Sequence, residues 1–127
     1  MEPIHLFAIA TRQAEWLAVR QKMVAGNIAN VNTPGYQAQD VEPFSSILDK
    51  QPLVMARTSA GHMDIAGSQL EAAAAQPEKA AETTHSGNNV LIEEELRKGG
   101  EISREMSLNT AIVKSFHRMM MVTVKGG

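Results

Sequence analysis

Residues 4 to 31 carry one unbroken helical period. Phe7, Ala10, Ala14, Leu17, Gln21, Val24, Ile28 and Val31 recur at alternating spacings of three and four, with Gln21 as the single polar interruption. Leu6, Ile9, Trp16, Val19 and Met23 widen the apolar surface, and no proline falls between Pro3 and Pro34. A helix of about 25 residues at ~1.5 Å per residue is ~38 Å long. That is a long apolar stripe for a 127-residue chain to cover.

Pro34 and Gly35 stop the pattern. The residue before proline avoids the α region, so Thr33 is expected to be extended. Proline at the second and glycine at the third position suit a type II turn, because glycine accepts positive φ. The chain continues as "YQAQDVEPF", without a stripe. A second helical pattern begins after "SGNN". Asn88 or Asn89 is expected to cap it, and Glu93, Glu94 and Glu95 follow where the helix dipole favours negative charge. Ile92, Ile102, Met106, Val113, Phe116 and Met120 share a face. The same stripe passes through Glu95, Gly99 and Asn109, and Gly99-Gly100 marks a bend or break.

Between the two patterns the chain is soft. "SSILDK" reads as a short helix or turn, and "PLVMARTSAGHM" as a short strand or hairpin. "SQLEAAAAQPEKAAETTHSGN" reads as nascent helix or flexible linker, with the linker favoured. The expected fold is mainly α: long N- and C-terminal helices pairing as an antiparallel-type coiled coil, with a short irregular or small β middle. The divisions are 1–32, N-terminal assembly helix; 33–44, turn and extended segment; 45–86, flexible middle; and 87–127, C-terminal assembly helix. The expected seam is Leu17 and Val24 against Ile102, Met106, Val113, Phe116 and Met120. Two helices without a third layer make a poor isolated core. The ends are therefore expected to be poorly ordered in the free monomer and to fold on assembly.

Composition removes several functions. Cysteine is absent, which excludes disulfides and thiolate metal sites. The formal net charge is −2, so nucleic acid is not an expected partner. No run of 18 apolar residues is present, so no membrane span is expected, and the first residues make a poor secretory signal. His5, His62, His85 and His117 do not fall at metal-ligand spacing, and His62 with Asp64 is a weak pair. Ser68 lies in a plain loop without the G-x-S-x-G context of a serine nucleophile. Glu93 to Glu95 are explained by the helix dipole rather than by acid–base work. No phosphate loop is present. No catalytic, cofactor or metal site is expected.

Two features carry specific chemistry. Met119, Met120 and Met121 are consecutive, so on a helix they cannot share one side, and a multi-neighbour interface is expected. The stretch "GNIANVNTPGY" sets Asn27, Asn30 and Asn32 at a helix end. Asn32 is a natural turn former. Asn27 is still inside the helix beside Val24 and Ile28, where a side-chain amide fixes helix register.

At "NIANVNTPGYQAQDVEPF" the chain resembles the bacterial flagellar axial proteins, the rod, hook and hook-associated subunits. Asn27, Ile28, Ala29, Asn30, Thr33, Gly35 and Tyr36 match that family's N-I-A-N-x-x-T-x-G-Y signature, with Arg20 and Gln21 upstream. "GNNVLIEEEL" resembles the partner motif N-N-V-D-L-x-x-E through Asn88, Asn89, Val90 and Glu94 or Glu95. "NTPGYQAQDVEPF", Trp16 and "RTSAGHM" favour the short proximal rod subunits. Leu91 stands where the family has an acidic residue, Gly99-Gly100 interrupts a usually continuous helix, and Asn109-Thr110 falls near a tyrosine position.

The resemblance implies a structural subunit whose terminal helices pair and stack in a hollow rod. It implies export through the flagellar type III gate without a cleaved signal, and a place in the basal body crossing the periplasm. Its implied partners are further copies of itself, other proximal rod subunits, the adaptor between rod and membrane ring, and the export gate. Asn27, Ile28, Asn30, Asn32, Thr33, Pro34, Gly35 and Tyr36 are then expected to form an assembly corner. A flagellar export chaperone or adaptor module is the alternative. A cell-wall enzyme lacks a credible acid–base pair.

Overall fold

A computed structural model describes residues 3–49, 75–78 and 83–126. In chain order the elements are α1 (Pro3–Ala29), β1 (Gln39–Val41), α2 (Phe44–Asp49), β2 (Ala75–Pro77) and α3 (Ile92–Lys125). The stretch "PLVMARTSAGHM", with the His62–Asp64 pair, and Ser68 lie outside the described residues.

Pro3 is the first helical residue of α1, a position where its missing N–H is no loss. The helix ends at Ala29, short of the proline, and irregular turns carry the chain through Asn30 to Asn32. The expected turn forms at Thr33–Tyr36. The Tyr36 N–H donates to the Thr33 carbonyl at 3.2 Å, and Gly35 has φ +72° at the third position, as a type II turn requires.

α3 differs from expectation in two ways. Leu91 is its N-cap residue, extended at φ −104° and ψ 110° with no side-chain capping bond. Asn88 and Asn89 are therefore not the caps of α3. They lie in the extended approach to it, and their side chains are occupied elsewhere. The helix also runs without a break through Gly99-Gly100. About seven helical turns on the C-terminal side of the pair outweigh the propensity cost of about 1–2 kcal/mol.

The two long helices pack antiparallel. Asn27 meets Glu95, Asn109 meets Ala10, and Phe7 meets Phe116, so numbers rise along one helix as they fall along the other. Leu17, Val24 and Ile102 are buried with Trp16 and Val41, and Met106, Met23, Val19 and Ile28 pack on that cluster. Each such apolar side chain, fully buried, stabilises by roughly 1.5–3 kcal/mol. Phe116 reaches the Phe7 ring edge-on, with centroids 5.5 Å apart. Val113 is half-buried. Met120, expected in the seam, is 38% exposed, because α3 there has run to the start of α1.

Among the described residues, a third layer covers one half of the pair. The SSILD portion of "SSILDK" is helical within α2, and Phe44 and Ile47 of that helix pack on the core. The Trp16 indole N–H donates to the Glu42 carbonyl at 2.8 Å, and the ring lies against Phe44, 5.8 Å between centroids. Within the stretch favoured as flexible linker, Ala75–Pro77 is instead strand. It pairs antiparallel with β1, Gln39 opposite Pro77 and Val41 opposite Ala75. The Glu78 N–H donates to the Ala38 carbonyl at 3.0 Å. Alternation then turns the N–H and C=O of Gln39 away from β2. Pro77 sits at the matching outward position, where its missing N–H does no harm.

Candidate assembly corner

The last turn of a helix leaves carbonyls without partners, and the asparagines of this chain answer that need. At the end of α1, Asn30 folds its amide back onto the Gly26 carbonyl at 2.9 Å and accepts from the Thr33 hydroxyl at 3.1 Å. Asn88, arriving from the other end of the sequence, donates to the Asn30 carbonyl at 2.9 Å and the Thr33 carbonyl at 2.7 Å. Its own oxygen accepts from the Val90 N–H at 2.8 Å. Asn89 accepts from the Ala38 N–H at 2.5 Å, and its backbone N–H donates to the Tyr36 carbonyl at 3.3 Å. Of the two asparagines read as caps of α3, Asn88 thus closes the C-terminal end of α1, and Asn89 ties the approach to α3 to the segment between Tyr36 and Ala38.

Two glycines let these segments cross. Gly35 and Gly87 both have positive φ, +72° and +83°. A Cβ on Gly87 would stand 3.5 Å from the Gly35 Cα. The Gly35 N–H donates to the Ser86 carbonyl at 2.9 Å, which fixes the turn after α1 to the approach to α3.

Asn27 is the centre of the corner and is fully buried. Its amide N–H₂ donates to the Gln39 carbonyl at 2.8 Å and to Glu95 Oε2 at 3.0 Å. Its oxygen accepts from the Gln39 N–H at 3.0 Å and, at 3.5 Å, from the Tyr36 hydroxyl. The side chain therefore acts as one extra peptide group on the outer edge of β1. It pairs the N–H and C=O that β2 leaves unpaired, and joins α1, β1 and α3 at one atom group.

Glu95 and Lys98, both buried, extend the contact. Lys98 donates to Glu95 at 3.0 Å and to Glu78 beside β2, and lies 3.8 Å from Asp40. Burial by itself lowers the Lys98 pKa. The hydrogen bonds to Glu78 and Glu95 and the charges of both outweigh it and raise the ammonium above its ordinary value. Arg20 links Asp40 (3.2 Å) to Glu101 (3.8 Å) and lies over Trp16, 5.5 Å from the ring centre. Glu94 is held below the ordinary carboxylate value by its hydrogen bond to Arg97, and the same bond raises Arg97. Among the described residues no buried side-chain nitrogen or oxygen is unsatisfied. The buried polar side chains of this network are all paired, and those of Asn27, Asn88, Glu95 and Lys98 join different elements.

Asn27, Asn30, Thr33, Gly35 and Tyr36 lie together in the corner, with Ile28 on the core. Asn32 and Pro34 are exposed. Sequence reading missed Arg20, Asp40, Glu78 and Lys98 as members. It named Glu95 but assigned it to the helix dipole. The available signal was that Glu95 and Asn109 fall on the apolar stripe. Asn109 is also buried there, donating to the Ala10 carbonyl at 2.8 Å.

The segment that builds the corner is the one that matches a known family. Residues 16–37 match the family described as Flagella basal body rod protein. The chain is 48% identical over 129 residues to the flagellar basal body rod protein FlgB of Agrobacterium fabrum (strain C58), covering 98% of this chain and 96% of that one. The chain belongs to the flagellar basal body rod protein family. It is also 30% identical over 120 residues to FlgB of Salmonella typhimurium (strain LT2), covering 87% and 86%. In this rod protein the matched segment begins at the Trp16 anchor and ends just past Tyr36, so it holds Asn27 and the whole turn. Members of the family assemble with other rod subunits in the basal body. No described helix is long and apolar enough to cross a membrane.

Proposed function

We infer that this structural rod subunit polymerises through its paired terminal helices in the proximal rod, and carries torque from the membrane ring to the distal rod and hook. The observation that supports this most is the set of large apolar side chains left uncovered along α3. Leu108 is 61% exposed, Ile112 44% and Met119 57%, all off the α1 seam. Contiguous exposed apolar surface of this kind marks a protein interface.

The corner serves this role by holding α1 and α3 in one register, so that every subunit presents the same outer face. The partners on this reading are further copies, the other proximal rod subunits and the adaptor to the membrane ring. The chain reaches them through the flagellar type III export gate without a cleaved signal, and the finished rod crosses the periplasm. A chaperone or adaptor role is not favoured, since the relatives carry the name of rod proteins.

The test is complementation of a strain lacking this subunit. Asn27→Ala and Phe116→Asp are expected to pass into the medium at normal levels while basal bodies lack a completed rod. Completed rods with either variant would overturn the assignment of the corner and the helix seam to assembly.

A further inference from the structure

Besides Leu108 and Ile112 near its middle, α3 exposes a group of apolar side chains at each end, and the charges beside the two end groups have opposite sign. At the start of α3, Leu91 is 40% exposed, Ile92 45% and Leu96 62%. Beside them stand Glu93 and Glu94, with Glu101 a turn further on. The cations of that end are outnumbered and partly spent: Arg97 pairs with Glu94 and lies 3.8 Å from Glu101, Lys98 is buried under carboxylates, and Arg20 is largely covered between Asp40 and Glu101, so these three stand among Asp40, Glu78, Glu93, Glu94, Glu95 and Glu101. At the other end, Met119 is 57% exposed, Met121 44%, Val122 66% and Val124 75%. From Met106 onward the chain has no Asp or Glu at all, while Lys114, Arg118 and Lys125 are present.

The three cations form a ridge. At about 100° per residue, spacings of four and seven place Lys114, Arg118 and Lys125 within roughly 40° of one another. The helix dipole accounts for Lys125 in the last turn. It does not account for Lys114 and Arg118, because the effect falls off within one turn. The last turns also expose Met119, Met121, Val122 and Val124, interrupted by Thr123 and Lys125, and apolar side chains spread this widely around a helix call for cover on more than one side. Phe7 faces Phe116 close to the start of α1, so α1 does not surround it.

We propose that the cationic, apolar end of α3 docks on the acidic, apolar start of α3 in a second copy of the chain, head to tail. This rests on the reading of the chain as a polymerising subunit and names the contact between copies. Apolar surface meets apolar surface, Lys and Arg meet Glu, and one copy supplies both halves. The contact is heterologous, so it leaves a free end of each kind and propagates in one direction. That polarity suits a rod, where a two-fold contact would stop growth at the dimer.

The experiment uses the full chain, followed by sedimentation velocity over a range of concentrations. Association is expected at about 50 mM salt and to weaken at least roughly tenfold at about 500 mM, where charges are screened beyond a few ångströms. Two double variants separate the halves: Lys114→Glu with Arg118→Glu, and Glu93→Lys with Glu94→Lys. Each alone is expected to stay monomeric, since its two ends now carry like charge. An equimolar mixture is expected to associate again, because each end then finds its opposite, and recovery on mixing shows that both variants are folded. Association unchanged in either variant, or no recovery on mixing, would overturn the contact. So would a wild-type monomer that sediments with phosphatidylserine vesicles but not phosphatidylcholine vesicles, which would assign the cationic end to a lipid surface. A strain that builds normal rods with either double variant would leave the rod assignment standing and remove this contact from it.

Discussion

Replacing Asn27 by alanine tests the corner at its centre. The side chain is fully buried and makes three hydrogen bonds of 2.8 to 3.0 Å. The bond to the Glu95 carboxylate is charge-assisted and buried, and its loss costs about 1.5–3 kcal/mol. The N–H and C=O of Gln39 lose their partners as well. Gln39 lies at the surface, so water replaces part of what they lose, and about 1 kcal/mol is a fair figure for the two together. The expected destabilisation is about 3 kcal/mol, a large share of the few kcal/mol that a chain of this size holds. Asn27→Asp sharpens the test. The change keeps the acceptor for the Gln39 N–H but sets a second carboxylate about 3 Å from Glu95 Oε2. Two carboxylates at that distance do not both ionise readily. The aspartate variant is therefore expected to be less stable than the alanine variant at neutral pH and to regain stability as pH falls toward 5. Urea unfolding followed by circular dichroism at 222 nm measures both. A loss below about 1 kcal/mol for alanine, or an aspartate variant as stable as the alanine one, would refute the reasoning.

Three further outcomes are expected. A Cβ on Gly100 meets nothing within 4 Å and the helix is continuous there, so Gly100→Ala should stabilise by about 0.5–1 kcal/mol in urea unfolding. The Lys98 pKa is raised on folding, so its contribution is fully present below its unfolded value near 10.5 and is lost as pH rises through the folded value. Stability measured from pH 9 to 12 should fall more steeply in the wild type than in Lys98→Met. Phe116→Ala removes the edge-on contact with Phe7 and should lower stability by about 1–2 kcal/mol, with increased amide hydrogen exchange confined to the N-terminal half of α1 and the C-terminal half of α3.

The two long helices and their pairing were readable because spacing of three and four is a local property of the chain. Leu17, Val24, Ile102 and Met106 declare themselves by it. Glu95 and Asn109 broke the same pattern and were read as flaws in the stripe. In fact both are buried on it, each finished by a partner far away in sequence that no local rule supplies. The caps were misjudged for a related reason. An asparagine before a helical run matches a capping signal, but the signal does not reveal that the carbonyls of a different helix lie closer. The pairing of β1 with β2 joins residues 39 and 77, each strand only three residues long, too short to show alternation. Strand at Ala75–Pro77 was hidden in alanine-rich composition, because Lys98 and the partner strand hold it in place, not its own propensity.

The sequence separations inside the corner also set its timing. Asn27 waits for Glu95, 68 residues on, and Ala10 for Asn109, 99 residues on. The carbonyls at the end of α1 wait for Asn88, 58 residues from Asn30. Contacts of this range form late, since the loop between them must close first. The first helix meets β1 and α2 early, through Trp16 with Glu42 and Phe44 and Asn27 with Gln39, but the face it turns to α3 has no partner until most of the polypeptide has left the ribosome. A chain wired in this way stays slack and threadable for most of its synthesis, and its last thirty-odd residues decide when it becomes a solid.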